Sequence, residues 1–181
     1  MSEPTALLKP LAPATIAARL WTPTGFITDL WRLTADDAAF PIDGRAILKL
    51  AHWRAEQAAL LATGLAVGVL VESSDALDPA TDNLERLHLI ALNFPKFTDG
   101  RAYSTARRLR EEVGYTGEIR ATGDVLLDQL PLMLRSGFDA FEIVNSPTIA
   151  ALERGTVPAV QHVYQRTVTR DASGWHARAQ R

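Results

Sequence analysis

The chain predicts an α/β fold, a mainly parallel sheet built from βα units, in a single domain over residues 1–181. Three observations point there. Short runs rich in Val, Ile and Leu recur at roughly even spacing, continuous enough to be strands covered on both faces. Between them lie segments whose apolar residues repeat with helical spacing. Those segments open near Asp, Ser or Thr and close near Gly, the residue types that start and stop helices. Strand, helix, strand, helix in that order means parallel pairing. The repeat length suits an open doubly wound sheet or a partial TIM-barrel-like one, since a complete eight-unit barrel typically takes about 250 residues.

Taken in order, residues 1–24 form a proline-rich, weakly patterned N-terminal segment, and Gly25 to Thr34 (GFITDLWRLT) alternates loosely as an early strand. Leu50 to Ala62 is rich in Ala, Leu, Glu and Gln and should be helical. Leu65 to Val71 follows as a buried strand. Asp82 can cap a short helix carrying Leu84 and Leu87, and His88 to Phe94 is the next strand. Gly100 to Val113 is the clearest helix, with Ala102, Ala106, Leu109 and Val113 on one stripe, Thr98 or Asp99 as cap and Gly114 as stop. Glu118 to Thr122 is a strand. Asp124 caps a helix that Pro131 should kink and Gly137 closes. Ala140 to Val144 is the last strand, and Ser146 caps a final helix ending near Gly155.

Composition narrows the chemistry. A net charge of −2 gives no general attraction to nucleic acid or an anionic membrane, so any anion site must come from clustered arginine. The chain has no cysteine, which removes disulfides, thiolate zinc sites, cysteine nucleophiles and cysteine-ligated iron–sulfur clusters. The apolar run from Ala58 to Val71 is too short to span a bilayer, the N-terminus is a poor signal peptide, and a cytoplasmic address follows. No G-x-G-x-x-G and no phosphate loop is present. The YSTAR run from Tyr103 to Arg107 ends in Arg where short-chain dehydrogenases need Lys, and no serine sits in G-x-S-x-G. His52, His88, His162 and His176 lack zinc spacing, and Asp75, Asp78 and Asp82 lack calcium-loop spacing, so no metal site is expected.

Ligands of parallel α/β folds bind at the carboxyl ends of the strands, and polar residues gather there in this chain. The expected anion site is Lys96, Asp99, Arg101, Tyr103, Arg120 and Asp124, converging at one carboxyl-edge pocket with the helix N-terminus beyond Gly100. Capping alone would account for Asp124 and Ser146, but it does not require Lys96 or Arg101. Arg120 alternates with Ile119 and Ala121, as Glu142 does with Phe141 and Ile143, so these two could instead form a buried pair. The alternative use of the chain is docking to an acidic partner through Arg107, Arg108 and Arg110 on the main helix.

The run ALNFPKFTDGRAYSTARRLREEVGYTGEIRATGDVLLDQL, then RSGFDAFEI and the pair Tyr164–Gln165, resembles a bacterial family, domain of unknown function 934. The likeness covers a core of about residues 65–165. Members are often described as oxidoreductases of sulfite reduction. The resemblance therefore implies an accessory protein of assimilatory sulfite reduction, with sulfite reductase or its electron donor as partner. It supplies no catalytic residues. No cofactor is expected from the residues, though a flavin site without a fingerprint stays open, because redox chemistry needs a cofactor that ordinary side chains do not replace.

Overall fold

The computed structural model describes residues 17–34 and 45–157. Its strands are β1 Arg19–Thr22, β2 Gly25–Ile27, β3 Arg32–Leu33, β4 Arg45–Lys49, β5 Ala66–Val71, β6 Leu89–Phe94, β7 Glu118–Gly123 and β8 Ala140–Ile143. Its helices are α1 Leu50–Thr63, α2 Arg101–Glu111, α3 Leu130–Arg135 and α4 Ser146–Glu153. The strands form one sheet in the order β2-β1-β8-β7-β6-β5-β4-β3. From β3 to β8 every pairing is parallel and joins strands consecutive in the chain. β1 runs antiparallel to β8, and β2 antiparallel to β1. The order never reverses, so the doubly wound alternative is corrected to a singly wound sheet. Right-handed crossovers in one direction put the connecting helices on one face.

Chain connectivity forces this sheet to curl. Laid flat, eight strands would separate β2 from β3 by about 34 Å. Only residues 28–31 join Ile27 to Arg32, which fixes those ends within about 18 Å of each other. The joining segment crosses the concave face, which carries no helix among the described residues: Asp29 bonds Arg120 of β7, and Trp31 packs on Ile47, Leu89 and Ala91. The opposite face holds the main core. There Val67, Val69, Ile90, Leu92, Phe94, Ile119, Ala121, Phe141 and Ile143 meet Trp53, Leu60, Ala106, Leu109 and Met133 of the helices.

The four expected central strands and the main helix are present, with ends shifted by a residue or two. Four expectations are corrected, and the N-terminal segment gains a strand. GFITDLWRLT is not one strand but two, β2 and β3, at opposite edges of the sheet. The N-terminal segment contributes β1, while residues 1–16 lie outside the described residues. Asp82 caps nothing. It is fully buried, accepts Arg54 Nε and Nη2 at 2.7 and 2.8 Å, and thereby pins α1 to a 3-10 turn, Leu84–Arg86. Asn145, not Ser146, caps α4, accepting the Thr148 N–H at 2.9 Å. Pro131 lies in the first turn of α3, where no N–H is needed, so it starts the helix instead of kinking it.

Candidate functional site

At the carboxyl end of the concave face, polar side chains form a row across the sheet. Asn93 is level with Thr122, and one step beyond the Ala121–Phe141 pairing Thr122 is level with Glu142. Side chains alternate along a strand, and Leu92, Ala121 and Phe141 point to the helices, so these three point away from them. Asn93 Nδ2 extends the row by donating to Glu72 Oε2 at 2.6 Å. In front of the row is a chamber of about 220 Å3, its apolar wall including Leu33, Ile47 and Leu70.

Two groups of this row lack hydrogen-bond partners among the described residues. Thr122 is 8% exposed, and its buried Oγ1 has no hydrogen bond. The half-buried Glu142 carboxyl makes none among the described residues. Burial raises its pKa, Arg120 opposes that rise, and Asp29 adds to it. One row deeper, Arg120 is 1% exposed, donating from Nε to Glu118 at 2.8 Å and from Nη1 to Asp29 at 2.7 Å. The anticipated Arg120–Glu142 pair is therefore corrected: register sets Arg120 opposite Ala140, and Arg120 takes its own-strand carboxylate and the crossing segment instead.

The six residues expected at one carboxyl-edge pocket separate. Asp99 and Arg101 do meet: Asp99 Oδ1 accepts the Arg101 N–H and Nε at 3.2 and 2.9 Å, and Oδ2 accepts Nη2 at 2.6 Å. Ser73, after β5, accepts Nη2 as well at 3.0 Å. Arg101 holds the Asp99 carboxyl well below the usual carboxylate range. The crevice beside Arg101 measures only about 20 Å3, room for a single water. Asp124 is not the helix cap. Its Oδ2 accepts the Phe97 N–H at 2.9 Å, and Gln129 donates to Phe97 O at 2.7 Å, so both tie down the loop carrying the exposed Lys96. Tyr103 is absorbed by packing, edge-on to Phe94 at 5.2 Å, with burial and then Asp128 pushing its phenol up to about 12. Arg120 lies mid-strand on the concave face, away from the edge.

The arginine-rich helix also changes meaning. The Arg110 side chain is 5% exposed, donates to the carbonyls of Gly137, Tyr115 and Gly117 at 3.0, 2.7 and 2.9 Å, and pairs with Asp139. Arg108 donates to Leu77 O at 2.9 Å. Arg110 thus clamps loops whose carbonyls lack strand partners, whereas Arg108 makes its loop bond while staying exposed. Arg107, bonded to Glu111 at 3.2 Å, is half-exposed.

Asn93 and Thr122 went unnoticed in the sequence, and Glu142 was read only as an ion-pair partner. A signal was present: each is the penultimate residue of its strand. In consecutive parallel strands that shared offset builds one row.

A family model described as "Bacterial protein of unknown function (DUF934)" matches residues 68–175, more than half of the chain, and the chain belongs to that family. No curated protein and no solved structure matches it.

Proposed function

We propose that this member of the family is a cytoplasmic accessory protein of assimilatory sulfite reduction that holds a small oxyanion at the rim formed by the loops after β5 and β6. The setting is supported by the resemblance carried by residues 94–130, and redox steps are left to the partner reductase. We read the fold as one domain, partial-barrel-like, in which the carboxyl ends of the strands are the natural binding side.

One observation carries the site. Asp99 already rests on Arg101 as an external oxyanion would, taking the backbone N–H at the start of α2 and both forks of the guanidinium. The carboxylate stands in for the ligand. Arg101, with 64% of its side chain exposed, is reachable from solvent. Sulfite presents equivalent acceptor oxygens and enters by exchanging with Asp99, which also resolves the small size of the crevice. Glu72 and Asp75 stand across the crevice and oppose a second negative charge, so binding is weak.

Calorimetry with sulfite on wild type, Asp99→Asn and Arg101→Ala tests the reading. Losing the competing carboxylate should tighten binding by about tenfold, and losing the guanidinium should remove it. Equal, negligible binding by wild type and Asp99→Asn refutes the oxyanion site. A deletion strain should grow poorly on sulfate or sulfite and normally on sulfide, and normal growth on all three refutes the setting.

A further inference from the structure

From the row Asn93, Thr122 and Glu142 we infer a second site, in the concave chamber, for a small organic cation: an ammonium or guanidinium on a short aliphatic chain. The chamber meets the Arg101 crevice at Asn93, which lines both, but its inference does not rest on the oxyanion reading. Its polar wall is rich in acceptors. The Glu142 carboxyl is half-buried without a hydrogen bond, and Thr122 Oγ1 is buried without one. Buried polar atoms of native proteins are nearly always paired, so an orphan facing a cavity marks a missing partner. Thr122 is 8% exposed and lines the chamber.

Charge decides the ligand's sign. Among the described residues two cations stand near the chamber: Arg120, engaged by Asp29 and Glu118 though its buried Nη2 has no partner, and Lys49, level with Leu70 of the lining. Glu72, on Asn93, together with Asp29, Glu118 and Glu142 outnumbers these two, so an anion would enter against the local potential and a cation with it. Size and polarity complete the description. About 220 Å3 suits a few heavy atoms, and Leu33, Ile47 and Leu70 offer an aliphatic chain an apolar wall opposite the polar row. A second cavity, about 610 Å3 at the amino end of the sheet, is lined by Leu84, Leu87 and Tyr115 among others. None of the buried unpartnered atoms belongs to its lining, and it carries no comparable argument.

Size-matched probes test the inference: n-butylammonium, n-butylguanidinium, n-butanol and butyrate, titrated by calorimetry and mapped by amide chemical shifts. The cations should bind, the neutral probe more weakly and butyrate not at all, with shifts centred on Leu70, Thr122, Gly123 and Glu142. Glu142→Gln should weaken cation binding by about tenfold or more, as loss of one charge-assisted hydrogen bond does. Thr122→Val should weaken it severalfold while leaving thermal stability equal or higher, because the hydroxyl it removes has no partner in the free protein. Butyrate binding as well as butylammonium, shifts mapping elsewhere, unchanged affinity in Glu142→Gln, or no binding by any probe overturns the inference.

Discussion

Replacing Arg110 by alanine separates a structural arginine from a docking one. Its guanidinium joins the end of α2 to the turn before β7 through Tyr115 O and Gly117 O, and to the turn before β8 through Gly137 O and Asp139. Asp139 also accepts the Ile119 N–H at 2.9 Å, so its orientation depends on the same cluster. Asp139 is exposed, so the loss is reckoned from the three carbonyl bonds of the buried guanidinium, at the low end of about 1.5 kcal/mol each, roughly 3–5 kcal/mol in all. The upper end, about 3 kcal/mol for each bond from a charged donor, would give more. The half-buried carbonyls regain water, however, which keeps the lower figure. That is a large share of a typical stability of about 5–15 kcal/mol. For a chain of this length it lowers Tm by roughly 6–20 °C. Urea denaturation followed by circular dichroism, with scanning calorimetry, should show this for Arg110→Ala. Arg110→Lys should recover only part, since one ammonium cannot fork to carbonyls in two turns. Arg107→Ala should stay within about 0.5 kcal/mol of wild type. If Arg110→Ala also stayed within that margin, the clamp would be refuted and the basic face of α2 would again be a docking surface.

Arg54→Ala leaves the Asp82 carboxylate fully buried without its guanidinium and should cost about 3–5 kcal/mol by denaturant titration. Burial alone would push Asp82 up, but the Arg54 hydrogen bonds and the Asp78 N–H outweigh it and its pKa is lowered. Its contribution is therefore complete above the ordinary carboxylate value of about 3.9 and is lost as pH falls through the folded value. Acid unfolding of Arg54→Ala should accordingly begin at higher pH than that of wild type, and coincident acid transitions would contradict the assignment. Gly123 has φ +87°, and a Cβ there would run into Asn93 Oδ1 and the Phe94 carbonyl. Gly123→Ala should cost about 1–3 kcal/mol and abolish butylammonium binding, whereas a variant of wild-type stability and affinity would show that the row tolerates displacement.

What the sequence disclosed follows from how local each cause is. β5 and β6 were legible as near-continuous apolar runs covered on both faces, and β7 and β8 by the alternation of apolar residues with Arg120 and Glu142. α2 was legible because its stripe repeats over three turns. β1, β2 and β3 were not, since each is four residues or fewer and owes its existence to a distant strand. Asp82 and Asp124 both resembled caps because a carboxylate before a helical run is a local signal. Tertiary donors, Arg54 for one and the Phe97 N–H for the other, claimed them. Arg101 and Asp99 were placed at the right edge, but their mutual pairing is a matter of side-chain geometry that spacing does not encode. The concave row was hidden for the opposite reason: each polar residue looks ordinary in its own strand, and only register assembles them.

The crossing segment that draws the two edges together has a consequence for the order of assembly. Trp21 finds its partner Phe141 about 120 residues further along the chain, and Asp29 finds Arg120 after 91. On a ribosome working at about 5–20 residues per second, the β1–β2 hairpin waits several seconds for β8 to exist. Meanwhile β4 to β7 pair with strands that follow directly in the chain, at low loop-closure cost. The parallel strands therefore condense first, and the N-terminal hairpin fastens on last, carrying Asp29 and Trp31 over a face already formed. Until it does, Arg120 has Glu118 alone as its carboxylate partner and lies open to water, and the clasp then buries it against Asp29.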